Sequence, residues 1–283
     1  MDLPPRSAID HSPGRPQHWS DVDPDIGRWV EGIDALIAES LPAVSAVYLH
    51  GSLAMGSYYR PKSDVDLLVV VDAIPKDPAR RALAVGLLDA FDRRPIVGGV
   101  EMSVLHRRQA QAFVHPSPYE FHFSEKWVED VRRGGSGPRG VDPDLAAHCT
   151  MAQRRGLALH GADATHVIGR VPSAAFLDSI TDDFEWIVNG GILESPFYGV
   201  LNVCRVLQIV TGQPRLPPSK EEGARWALDA LPVQHHQIIA ESLECYRSAT
   251  AAPVDERRVH GHRWDQQALV ALAAYARRQL SAP

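Results

Sequence analysis

The chain has 283 residues, 45% hydrophobic and 23% charged, the balance of an ordinary globular protein. A net charge of −6 argues against a nucleic-acid backbone as the main partner. No run approaches the ~20 apolar residues of a membrane span, and no signal-peptide-like apolar stretch opens the chain, so a cytoplasmic protein without membrane contact is expected.

In chain order, residues 1–25 hold Pro4, Pro5, Pro13, Pro16 and Pro24 and read as a disordered tail. Ile26, Trp29, Val30, Ile33, Leu36 and Ile37 follow helical spacing up to Ser40. A strand is expected over Ala43–Leu49 and another over Asp66–Val71. A helix over Arg80–Phe91 follows, then a third strand, Val100–Leu105, and a helix start at His106–Ala112. The alternating segment Pro116–Trp127 suits a fourth strand or an extended edge. Gly134–Gly140 is a break, and Asp144–Leu159 reads as a helix with Asp142 or Asp144 near its start. Beyond a connector at Gly161–Pro172, only helices are expected: Ala174–Val188, Tyr198–Thr211, Lys220–Leu231, His236–Arg247 and Asp265–Leu280. The fold class is therefore α+β: a mixed-sheet domain over 26–165, an all-helical domain over 166–283, and an active site in the cleft between them. Cys149, Cys204 and Cys245 lack a CxxC or His-paired spacing and read as buried, reduced thiols.

Chemistry concentrates around Leu49-His50-Gly51-Ser52 and Ser63-Asp64-Val65-Asp66. By itself the second tract is a turn entering a strand. On a strand, however, residues i and i+2 share a face, so Asp64 and Asp66 project together and Val65 points away. Paired carboxylates suit Mg²⁺, which takes one or two of them plus substrate phosphates. Glycine allows the turn before Ser52 to bring backbone N–H groups close to a triphosphate. Glu101 is the lone acid of the third strand signal. If that strand neighbours the Asp66 strand, two acids can hold metal and the third can take a proton.

In the helical half, Asn202, Arg205 and Gln208 form a polar stripe on an apolar helix; it is either surface or a phosphate contact. Ser219 and Glu222 have capping-box spacing, which puts Lys220 at the positive end of a helix.

The order Gly-Ser, spacer, Asp-x-Asp and later acid resembles the nucleotidyltransferase superfamily that includes DNA polymerase beta. The tract from Arg205 through Val210-Thr211-Gly212, Ser219-Lys220 and Trp226-Ala227-Leu228 to Leu231-Pro232 narrows this. Over roughly residues 28–250 the chain resembles the aminoglycoside adenylyltransferases that modify streptomycin and spectinomycin. That resemblance implies transfer of AMP from ATP with Mg²⁺ to a hydroxyl of a small cationic antibiotic; a monomer is expected. It implies that Ser52, Ser63, Asp64 and Asp66 bind the triphosphate and metal. Glu101 falls on the general base and, with Asp64 and Asp66, on the metal set. Asp144, Arg205, Lys220 and Tyr246 fall on nucleotide contacts. The drug-binding segments fall near Trp127, preceded here by Lys126, and near Asp182, Asp183, Glu185, Trp186 and Glu194. The spacer between Ser52 and Ser63 is one residue longer than in the streptomycin enzymes. The competing readings are a nucleotidyltransferase with another small molecule, a protein or a tRNA as acceptor, and a non-catalytic nucleotide sensor.

Overall fold

The computed structural model describes residues 19–212, 216–250 and 262–280. Two compact units divide at Ser179/Ile180. This division lies inside a helix, Ser173–Trp186.

The first unit contains helices α1 (Pro24–Ser40), α2 (Gly51–Ala54), α3 (Asp77–Asp92), α4 (Arg107–Gln111), α5 (Val128–Arg132), α6 (Leu145–Arg155) and α7 (Ala164–Val167). Its strands are β1 (Val44–His50), β2 (Val65–Val71), β3 (Val100–His106), β4 (Ser117–Tyr119), β5 (Phe121–Phe123), β6 (Gly140–Asp142) and β7 (Leu157–Gly161). Five of them form a sheet in the order β5-β3-β2-β1-β7, while β4 and β6 form a separate pair. Only β2–β3 is parallel within the large sheet, and α3 is the crossover that a parallel pair requires.

Both faces of this sheet are covered, so β2 is wholly apolar from Leu67 to Val71. Val65, Leu67, Val69 and Val71 pack with α1 and α3 through Ile26, Val30, Ile33, Leu83 and Leu87. Leu68 and Val70 pack the other way, with Tyr48, Leu105, Leu145 and Cys149. By the same alternation His50, Asp66 and Glu101 project on the α6 side.

Two expectations need correction. Residues 1–18 lie outside the described residues, but 19–25 are not a tail. Trp19–Asp21 forms a 3-10 turn, Val22 is buried, and α1 already begins at Pro24. The helix expected over Asp144–Leu159 stops at Arg155. Gly156 caps it in extended geometry, and β7 follows as an edge strand beside β1. The Pro116–Trp127 segment supplies strands as expected, β4 and then β5 at the edge of the large sheet, followed by a 3-10 turn at Glu125–Trp127.

The second unit is helical. The helix Ser173–Trp186 (α8) runs into a π-turn at Ile187–Gly191, where Gly190 has φ 126°. Then come α9 (Ile192–Glu194), α10 (Pro196–Gly212), α11 (Lys220–Ala230), α12 (His236–Arg247) and α13 (Gln266–Leu280). Val200, Leu201, Val203, Cys204 and Leu207 bury most of the circumference of α10, which packs against α11, α12 and α13. A helix apolar on most sides takes the centre of a bundle. Cys149 and Cys204 are buried and Cys245 is half-buried, all as free thiols; burial pushes the first two up to about 12. Among the described residues, no helix is long and apolar enough to cross a membrane.

Candidate active site

The carboxylates assemble by strand register. Asp66 of β2 is the partner of Glu101 on parallel β3 and of His50 on antiparallel β1. Immediately after His50 the chain turns into α2 at Gly51, with φ 66°. A Cβ on Gly51 would lie 1.8 Å from Asp66 Oδ2, so the Gly51-Ser52 turn sits directly on that carboxylate. Asp64, just ahead of β2, is held from the other side. The Gly99 N–H donates to Asp64 Oδ1 at 2.7 Å, and a Cβ on Gly98 would lie 2.3 Å from that same oxygen. Gly98 and Gly99 thus form a slot for Asp64, and the glycine pair just before a strand was the sequence signal for it.

Ser52 lies half-buried in α2. Ser63 is buried, and its hydroxyl accepts the Tyr59 N–H at 3.1 Å, which ties the spacer loop to the start of β2. Asp144 is exposed at the head of α6 and donates its N–H to Asp142 Oδ1 at 2.9 Å. Because α6 packs on α2 and β1, Asp144 stands on the element beside the Gly-Ser turn. One turn further along α6, the His148 ring lies 5.0 Å from that of His50. Burial, reinforced by His148, holds the His50 imidazole well below its ordinary 6.5, so it is neutral. His122 of β5 bonds the Ser103 hydroxyl at 3.0 Å. Burial lowers its pKa, while Glu101 and Asp142 pull the other way. Trp127 ends the 3-10 turn after β5, half-buried, with the Lys126 ammonium 5.8 Å from its ring centre.

Asp64 and Asp66 offer hard oxygen donors, the chemistry that Mg²⁺ selects. Among the described residues no three His, Cys, Asp or Glu side chains converge closely enough to hold a metal. Two carboxylates completed by water and phosphate oxygens still suit Mg²⁺.

The second unit gathers a cationic cluster of its own. A capping box starts α11, with the Ser219 hydroxyl accepting the Glu222 N–H at 3.1 Å, and this fixes where Lys220 emerges. The Lys220 ammonium lies 4.9 Å from the Tyr198 ring centre and 5.8 Å from that of Tyr246, within cation–π range. Arg205 of α10 donates through Nε to the Pro218 carbonyl at 3.1 Å and through Nη1 to Asn202 Oδ1 at 3.0 Å. It passes so close to α11 that a Cβ on Gly223 would meet its backbone N at 2.9 Å.

Tyr246 is buried and stacked on Phe197, so it underlies Lys220 as a floor. Asp183, expected at the drug, accepts the Tyr198 hydroxyl at 3.0 Å. Burial raises its pKa, against the pull of Tyr198, Lys220 and Arg205. Asp182, Glu185, Trp186 and Glu194 are exposed, and the Trp186 ring meets Tyr198 edge-on at 6.5 Å. Buried Glu221 binds both Arg225 and Arg247 and so ties α11 to α12.

A mixed sheet with a Gly-Ser turn against an Asp-x-Asp pair, and a third acid in register on the adjacent parallel strand, is the arrangement expected of a nucleotidyl-transfer site. Comparison with known proteins narrows the class. Residues 166–275 match the family model "Aminoglycoside adenylyltransferase, C-terminal domain". The chain is 29% identical over 229 residues to an aminoglycoside (3'') (9) adenylyltransferase of Klebsiella pneumoniae, covering 77% of this chain and 86% of that protein. It is 28% identical over 209 residues to a spectinomycin 9-adenylyltransferase of Staphylococcus aureus, covering 72% and 78%. The fold matches the spectinomycin adenyltransferase AAD(9) of Enterococcus faecialis, solved with ATP and spectinomycin. The TM-score is 0.71 at 18% identity, over 90% of this chain and 99% of that one. The chain is a nucleotidyltransferase enzyme, similar to the aminoglycoside and spectinomycin adenylyltransferases.

Proposed function

We propose that this enzyme transfers AMP from ATP to a hydroxyl of an aminoglycoside-type antibiotic, streptomycin or spectinomycin, releasing pyrophosphate. The observation that carries the reading is the Asp66–Glu101 register, with Asp64 fixed beside it by Gly99. Asp64 and Asp66 would hold Mg²⁺, which when bound neutralises charge building on the phosphates. Glu101 takes the proton of the acceptor hydroxyl. The acceptor oxygen then bonds to the α-phosphorus as the bond to the β-phosphate oxygen breaks, and the electron pair leaves with pyrophosphate. The Gly51-Ser52 turn, Ser63 and Asp144 position the nucleotide. Arg205 and Lys220 stabilise the leaving group by charge, with Tyr246 beneath Lys220.

The relatives' substrates support an antibiotic as acceptor, and Trp127, Asp182, Trp186 and Glu194 are the residues we assign to it. Exposed carboxylates beside aromatic rings suit a polycationic sugar. Asp183, engaged by Tyr198, is assigned to holding the Lys220–Arg205 cluster instead.

The test is an acceptor panel with magnesium–ATP, read by mass spectrometry. Streptomycin or spectinomycin should gain the mass of one AMP, with stoichiometric pyrophosphate release. Adenylylation of protein or tRNA with neither drug modified would refute the assignment. Nucleotide binding with no turnover on any acceptor would favour a sensor.

A further inference from the structure

We propose that Arg60 is the positioning residue of Asp64, a guanidinium that holds both walls of the slot in which this carboxylate sits. The inference rests on the nucleotide-site reading above.

Arg60 lies in the spacer between Ser52 and Ser63. Its Nη1 donates to Asp25 Oδ2 at 2.7 Å, and its Nη2 donates to Asp25 Oδ1 at 2.5 Å and to Asp23 Oδ2 at 3.2 Å. Nη1 also donates to the Pro95 carbonyl at 3.2 Å. One side chain therefore joins three segments: the spacer loop, the entry to α1, and the 93–99 loop between α3 and β3. Two of these are the walls around Asp64.

On the spacer side, the Lys62 and Ser63 N–H groups both donate to the Tyr59 carbonyl at 2.9 Å, and the Ser63 hydroxyl accepts the Tyr59 N–H. Arg60 is enclosed in this turn, which delivers Asp64. On the opposite side, the Pro95 carbonyl fixes the loop that carries Gly98 and Gly99. There the Gly99 N–H grips Asp64 Oδ1, and the Gly99 carbonyl accepts the Val65 N–H at 2.9 Å. Gly98 leaves no slack, because a Cβ there would also lie 2.5 Å from the Ser63 carbonyl oxygen.

An exposed ion pair stabilises little, and Arg60 is about one-third exposed. A planar fork that reaches two carboxylates and a carbonyl fixes geometry instead, which the point charge of a lysine does not do. The Asp25 carboxyl, held below its usual range chiefly by its bond to Arg60, reflects that engagement.

The test is a double-mutant cycle on the full chain, with magnesium–ATP affinity read by calorimetry. Arg60→Lys keeps the charge and removes the fork. It should weaken affinity by about 5-fold or more, within the coupling range of neighbouring groups. In an Asp64→Ala background, where binding is already weakened, the same change should have less than about a twofold effect. A parallel readout needs no nucleotide: the Gly99 amide proton should exchange faster in Arg60→Lys, while the Val69 amide in the sheet centre stays unchanged. Equal weakening in both backgrounds, or unchanged affinity with unchanged Gly99 exchange, would overturn the proposal. If Asp64→Ala itself leaves magnesium–ATP affinity intact, the nucleotide-site reading fails, and Gly99 exchange alone then decides the role of Arg60.

Discussion

Replacing Glu101 by glutamine should slow AMP transfer ~10²-fold or more, the scale of a lost general base, and leave magnesium–ATP affinity nearly unchanged. Glutamine has the size of glutamate and keeps hydrogen-bonding capacity, so β3 should keep its register with β2 and its antiparallel pairing with β5. What disappears is the oxygen that accepts a proton. The loss should therefore fall on kcat, with little change in the KM for ATP, the pattern of an interaction made only as the reaction proceeds. Single-turnover kinetics with saturating ATP would check this. Near-normal turnover would remove Glu101 from the role, whereas loss of nucleotide affinity would place it among the metal ligands.

Gly51→Ala should be the most damaging substitution by a single methyl group. Two effects combine. The backbone at φ 66° disfavours an L side chain by roughly 1–2 kcal/mol. The new Cβ would also fall 1.8 Å from Asp66 Oδ2 and 2.6 Å from its Cγ, so the carboxylate has to leave its position. Misplacing a catalytic group by ~1 Å costs on the order of 10²-fold, and kcat/KM should fall at least that far. Gly32→Ala is the control. Nothing lies within 4 Å of its added carbon, in the middle of α1, so it should leave activity intact and stabilise the helix by about 0.5–1 kcal/mol. Kinetics and thermal melts on the two variants would separate the site effect from the general effect of adding a methyl.

The chemistry was more legible in the sequence than its supports. Asp64, Asp66 and Glu101 announced themselves as acids in apolar runs, and the period of two put Asp64 and Asp66 on one face. Their assembly rested on β2 and β3 being neighbours, which the crossover length of α3 favoured and the parallel register bears out. β7 escaped because Leu157-Ala158-Leu159 continues a helical composition. Only Gly156 marked the break, and tertiary pairing with β1 outweighed helix propensity. Arg60 and the Gly98-Gly99 slot were not visible as a unit, because their significance lies in contacts across distant segments. Asp183 and Asp182, adjacent in sequence, were read alike, yet the 100° step of a helix gives them different environments, one bonded to Tyr198 and one exposed.

The Asp66–Glu101 register also bears on stability. Like charges placed opposite one another weaken a sheet, and here two carboxylates stand side by side at the start of its only parallel pair. The register thus places two acids next to each other at the proposed catalytic centre. Asp66→Asn should raise the melting temperature of nucleotide-free, metal-free protein by about 1–2 °C, and the gain should vanish when Glu101 is already glutamine. An unchanged or lower melting point in the single variant would show that the pair is already relieved by its surroundings. A selection for thermal stability alone would thus be expected to erode this pair first, since the acids proposed to carry the reaction are among those the fold would hold more firmly if neutral.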